Sequence, residues 1–241
     1  MLGVHLEGPF LAPARRGAHD PGALAHPSPA AIEALLEAGE GVLRMVTLAP
    51  ELPGALDAVD RLVAAGVVVA VGHTEADLAA AADAFDRGAS VLTHACNAMP
   101  GLGHREPGPV GAAIAREHVV LEAIADGVHV HPVVLRTLFA AAPGRVALVS
   151  DAMAATGLGD GAHRLGALDV EVRGGVPLVA GTTTLAGSTL TLDRAIEVVV
   201  GAGVALDDAV AAATSVPAGV LGVPLPAVAP GLPIAEVVPV G

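Results

Sequence analysis

Six short apolar runs are spaced along this sequence by helix-length segments, and five of them end on a side chain that can bind a metal, carry a proton or hold a ligand. Met1–Leu6 delivers Glu7, Val67–Gly72 delivers His73, and Ala89–Thr93 delivers His94. Leu121–Ala125 delivers Asp126 and then His129, and Val146–Ser150 delivers Asp151; only Val42–Thr47 ends without such a group. Short, continuous, β-branched runs such as Val67–Val71 are what strands buried on both faces look like. Polar groups at the carboxyl ends of successive parallel strands are how an α/β barrel assembles an active site. The chain is therefore expected to be an α/β enzyme, or the remains of one.

The segments between the runs support that order. Ser28 is placed to cap a helix with Pro29 at its first position, running through Ala31–Ala38. Gly54–Ala65 reads as a second helix closed by Gly66, and Thr74 is the expected cap of a third over Glu75–Arg87. A Gly/Pro loop is expected from Ala95 to Pro109, and a helix over Pro132–Ala142. A small hairpin is expected over residues 162–180, around Gly174-Gly175, then helices over Ser188–Val200 and Leu206–Thr214. Ala209–Ala235 carries no charge, but its five prolines exclude a continuous membrane helix, so an extended Pro-rich tail is expected after Thr214. Six βα-type units fall short of the eight of a closed barrel, and the chain opens inside a strand.

Composition narrows the partners. Hydrophobic residues make up 53% with no Trp or Tyr and three Phe, so the core must be packed from aliphatic side chains. A formal net charge of −13 argues against nucleic acid and anionic membrane surfaces, yet leaves room for a small anionic substrate held by local cations. The single cysteine, Cys96, allows no internal disulfide and fits a reducing compartment such as the cytoplasm. The N-terminal residues do not read as a signal peptide.

Glu7, His73 and His94 form a plausible metal triad: two neutral imidazoles and a carboxylate hold a zinc-like ion and leave a position open for water. Each alone is equally an ordinary core or surface residue; the case rests on their convergence. Asp151, in Leu-Val-Ser-Asp-Ala, is the expected general acid/base, its plain alternative being a cap of the next turn. Asn97 is a sugar-hydroxyl contact or a turn residue, Arg105 an anion contact or a surface arginine, and His129 a substrate contact. The Gly/Ser/Thr segment Gly181–Leu192 offers free backbone N–H groups at a helix start.

His-Leu-Glu-Gly-Pro-Phe-Leu, Gly-His-Thr, Thr-His-x-x-Asn-Ala-Met-Pro, Arg-Glu-Pro-Gly, Ala-Asp-Gly-x-His and Ser-Asp-Ala follow one another in this order. Together they resemble the N-acetylglucosamine-6-phosphate deacetylase family of the amidohydrolase superfamily. The resemblance implies a (β/α)8 barrel of the metal-dependent hydrolase type with an accessory β-sandwich, and hydrolysis of the sugar acetamide to an amine and acetate. It implies Glu7, His73 and His94 as ligands of one divalent ion, zinc first, with Fe2+, Mn2+ or Co2+ as alternatives, and Asp151 as the catalytic acid/base. His19, Asn97, the Ala98 backbone and His129 are implied to hold the sugar, with Leu185 and Ala186 closing the site. Arg105 is implied to bind the phosphate, often across a homodimer interface. With Asp151 ending the eighth strand, Glu7 ends the third, so the first two strands and most of the sandwich are expected to be missing. Residues 1–221 are then an incomplete barrel, and 222–241 a Pro-rich remnant of the sandwich. A compromised fragment, and a related amidohydrolase acting on another amide, are the alternatives.

Overall fold

The computed structural model describes residues 2–224. Six strands, β1 (Val4–Glu7), β2 (Leu43–Leu48), β3 (Val68–Val71), β4 (Val91–Leu92), β5 (Val120–Ala123) and β6 (Val146–Leu148), form one sheet in sequence order. Every neighbouring pair is parallel. This is a half-barrel of the (β/α)8 type, and β1 and β6 are its two end strands among the described residues.

Helices α1 (Pro29–Ala38), α2 (Ala55–Ala64), α3 (Leu78–Asp86), α4 (Gly108–Ile114) and α5 (Pro132–Ala141) follow strands β1 to β5 in turn. Alternation divides each strand between two environments. Val46, Leu48, Val69, Val71, Leu92, Leu121, Ala123, Val146 and Leu148 belong to the main core, together with Ile32, Leu62, Phe85 and Leu135 from the helices. The other face points into the barrel, where Met45, Ala70 and Val91 make a separate small cluster. Gly72 closes β3 between two inward threonines: a Cβ there would lie 2.8 Å from Thr93 Cβ and 2.9 Å from Thr47 Cγ2. Only glycine lets those hydroxyls meet, and they do, at 2.8 Å.

After β6 the chain inserts an antiparallel meander, β7 (Gly161–Leu165), β8 (Leu168–Arg173) and β9 (Val176–Val179). The expected hairpin is thus three-stranded, with Gly174-Gly175 at its second turn. Helices α6 (Leu192–Gly201), α7 (Leu206–Ala213) and α8 (Ser215–Val220) complete the described chain.

Four local expectations are corrected. Thr74 does not cap α3; its hydroxyl donates to Glu51, and Asp77 caps instead, accepting from Ala80 N at 2.8 Å. The Gly/Pro loop leads into α4, an element without enough periodicity to be read, with Pro109 in its first turn. Helix α6 begins at Leu192 rather than Ser188, because Ser188 forms a parallel bridge with Ala152. The chain does not extend after Thr214: α8 accommodates Pro217 in its first turn, where no N–H is required, and Val220 and Leu221 pack on the inner cluster. From residue 225 on, the expected Pro-rich tail lies outside the described residues.

Candidate active site

The carboxyl ends of the strands converge on a cavity of about 740 Å3. Glu7 is the last residue of β1, His73 stands two past β3, His94 two past β4 and Asp151 three past β6; all four line the cavity. His19, Asn97, Ala98, His129 and Leu185 line it as well. Ala186 does not; its side chain is fully buried with Met153, Val170 and Val172. Arg105 stands outside the cavity in its own chain, its guanidinium 2.6 Å from His104 Nε2 on an exposed loop.

Three donor atoms form a nearly equilateral triangle. Glu7 Oε1 lies 3.2 Å from His73 Nε2 and 3.0 Å from His94 Nε2, and the two nitrogens are 3.0 Å apart. Bonds of 2.0–2.1 Å to a tetrahedral ion put ligand atoms roughly 3.3 Å apart, so the triangle has the size of one face of such a site. The hydrogen bonds behind it agree. His73 Nδ1 lies 2.6 Å from the Arg15 carbonyl, which only accepts, so Nδ1 carries the proton and Nε2 presents its lone pair. His19 is oriented likewise by the Arg16 carbonyl at 2.9 Å, and its Nε2 stands 3.4 Å from Glu7 Oε2. Glu7, His19 and His73 keep their ligand atoms within 4.8 Å of one another, which makes His19 a further candidate donor. Lone pairs turned toward a carboxylate leave a place for a cation. The donor set fits a divalent ion.

Electrostatics separate the carboxyl groups. Burial raises the pKa of Glu7, but the adjoining imidazoles of His73 and His94 outweigh it and hold the carboxylate well below its usual range. Burial, reinforced by the charge of Glu7, pushes Asp151 above the usual aspartate range. The Asp151 backbone is clamped: its carbonyl accepts from Ser188 N at 2.7 Å, and Gly187 approaches so closely that a Cβ would sit 2.8 Å from that oxygen. Positive φ is found at His73 (47°), His94 (29°) and Asp151 (49°), and also at Cys96 (76°) and Ala98 (49°).

The remaining contacts set up the walls. Asp126 Oδ2 takes His129 Nδ1 at 2.7 Å, while Oδ1 accepts from the N–H groups of Val128 and His129, both at 2.8 Å. Asn97 Nδ2 donates to the His94 carbonyl at 3.2 Å, leaving its amide oxygen for a ligand.

Several contributors lay beyond sequence reading. Glu51 supports the turn after His73 by accepting from Glu75 N at 2.6 Å as well as from Thr74; it stands past the end of β2, whose run carried no polar ending. Arg15 lines the cavity, and its neighbours Pro13 and Ala14 give no sign of it. Glu122 is nearly fully buried inside the barrel, and a lone acid in an apolar strand has no pattern to mark its direction.

Burial pushes the Glu122 pKa up to about 7 from 4.5, against a hydrogen bond from the His94 backbone. Between those values the folded chain keeps a proton that the unfolded chain releases, so stability present below about pH 4.5 falls as pH rises through about 7. The full loss is roughly 3 kcal/mol at 1.36 kcal/mol per unit. Glu122→Gln, always neutral and still an acceptor, is expected to raise Tm at about pH 8 and to leave it unchanged at about pH 4. An equal gain at both values would show a packing effect instead.

Among the described residues no helix is long and apolar enough to cross a membrane. The N-acetylglucosamine-6-phosphate deacetylase of Bos taurus is 41% identical over 230 residues, covering 92% of this chain and 56% of that protein. The N-acetylgalactosamine-6-phosphate deacetylase of Escherichia coli O157:H7 is 42% identical over 224 residues, covering 92% and 59%. The structure of a mutant N-acetyl-D-glucosamine-6-phosphate deacetylase from Mycobacterium smegmatis, in complex with N-acetyl-D-glucosamine-6-phosphate, superposes with a TM-score of 0.88 at 48% identity, covering 92% of this chain and 60% of that one. The chain thus spans less than two thirds of each. The amidohydrolase family profile matches residues 1–233. With strand-end donors converging on a half-barrel, and a sequence match running through nearly all of it, the chain belongs to the amidohydrolase family.

Proposed function

We propose that this chain hydrolyses the acetamide of N-acetylglucosamine 6-phosphate, giving glucosamine 6-phosphate and acetate. The observation that carries the reading is the 3.0–3.2 Å triangle of Glu7, His73 and His94 in the same cavity as Asp151. A divalent ion, zinc first by ligand type, when bound on these donors supplies Lewis-acid polarisation of a carbonyl and acidifies water. Asp151 takes a proton from the attacking water and delivers it to the amide nitrogen as the C–N bond breaks. Asn97, Ala98, His19 and His129 hold the sugar, His129 being fixed by Asp126, and Leu185 closes the far wall. Arg105, outside the cavity of its own chain, reaches a phosphate from the second copy of a homodimer. The single cysteine accords with a cytoplasmic enzyme of amino-sugar breakdown.

The galactosamine relative favours a second reading, the C4 epimer N-acetylgalactosamine 6-phosphate. The test is acetate release by the purified zinc-loaded chain from each of the two sugar phosphates. Faster release from the glucosamine epimer is expected. Faster release from the other epimer transfers the reading to it. Metal and sugar binding without acetate from either would mark the chain as a catalytically compromised fragment.

A further inference from the structure

An anionic substrate must enter a cavity that holds two carboxyl groups. Glu7 and Asp151 both line it, and the chain carries a formal net charge of −13. Among the described lining residues Arg15 is the single Lys or Arg. Other arginines are engaged elsewhere: Arg116 grips Asp86 through two nitrogens at 2.7 Å, and Arg145 donates to four backbone carbonyls. Arg15 differs. Its Nε is buried without a hydrogen-bond partner, and the carboxylate paired with it, Glu75 Oε1, stands 3.8 Å away, beyond hydrogen-bond reach. Its side chain remains 39% exposed. Its main chain, in contrast, is tied to the triad, since the Arg15 carbonyl receives His73 Nδ1. A guanidinium fixed at its base, short of partners and facing the cavity is placed to receive a ligand's negative charge.

We propose that Arg15 is the own-chain residue that reads the phosphate of the substrate. Its planar fork pairs with phosphate oxygens by charge-assisted hydrogen bonds while the acetamido end faces Glu7, His73 and His94. The proposal rests on the deacetylase reading above and adds to it a specificity contact independent of any second copy. Substituting Arg15 keeps its carbonyl, so the support of His73 survives and the guanidinium is tested alone.

The experiment compares wild type, Arg15→Gln, Arg15→Lys and Arg105→Ala in the full 241-residue chain. KM and kcat are measured for N-acetylglucosamine 6-phosphate and for N-acetylglucosamine, and Kd for glucosamine 6-phosphate and glucosamine by calorimetry. Arg15→Gln is expected to raise KM and Kd about 10- to 100-fold for the phosphorylated sugars alone, with kcat nearly unchanged. Arg15→Lys, a point charge without the fork, is expected to recover part of the loss. An equal loss for both kinds of sugar would overturn the proposal, since Arg15 would then be shaping the turn. Discrimination lost only in Arg105→Ala would overturn it too. If no protein releases acetate, the deacetylase reading fails, and the calorimetric contrast between the two amines decides Arg15 by itself.

Discussion

Asp151→Asn is expected to lower kcat by about 10²–10⁴-fold, the usual worth of a positioned general acid/base, while metal and sugar remain bound. The substitution is well suited to the question. Asp151 adopts φ 49°, a left-handed conformation that asparagine tolerates as readily as aspartate, so the backbone has no reason to move. Its carbonyl bond to Ser188 is likewise untouched. What disappears is the ability to exchange a proton. The base must be ionised to act, and burial together with Glu7 raises its pKa, so the acidic limb of the wild-type rate profile is expected above the ordinary aspartate range. A cation bound at the triad opposes that rise. Steady-state kinetics of metal-loaded protein give the comparison; near-normal turnover in the Asn variant would leave Asp151 a structural cap.

His73→Ala is expected to empty the metal site. The imidazole supplies one corner of the triangle and is held by the Arg15 carbonyl. Loss of an outer hydrogen-bond partner of a ligand costs about 10–100-fold in metal affinity, and loss of the ligand itself is expected to exceed that. Elemental analysis after dialysis, with His94→Ala in parallel, reads the result directly. Both variants retaining one ion per chain would dismiss the triad and turn attention to His19 and Glu7.

Strand ends were legible because burial writes itself into sequence. Val67–Val71 has no polar residue, so it had to be a buried strand, and whatever followed it had to stand at the strand's mouth. That logic located Glu7, His73, His94 and Asp151. It was silent where position is set by contacts between distant segments. Asp77 and Thr74 are equally good caps by type, and the choice was made by Glu51, 23 residues before Thr74. Ser188 looked like a helix start until its bridge to Ala152 claimed it. Arg15 follows Pro13 and Ala14 in a short turn without periodicity, and its place against the cavity comes from His73, 58 residues on. Ala186 fell in the right loop, where Thr183, Thr184, Leu185 and Gly187 line the cavity, but its own side chain is packed into the cluster with Met153 instead.

The left-handed backbone at His73, His94 and Asp151 bears on any attempt to evolve this chain in the laboratory. A side chain in that region costs of order 1–3 kcal/mol, a penalty that glycine escapes. A library sorted for heat resistance is therefore drawn toward glycine at the three positions on which turnover is proposed to depend. A library sorted for acetate release is drawn the other way. The two rankings should run opposite at residues 73, 94 and 151, whereas at Cys96, which shares the left-handed backbone without a proposed role, glycine should gain in the heat sort without the opposing loss.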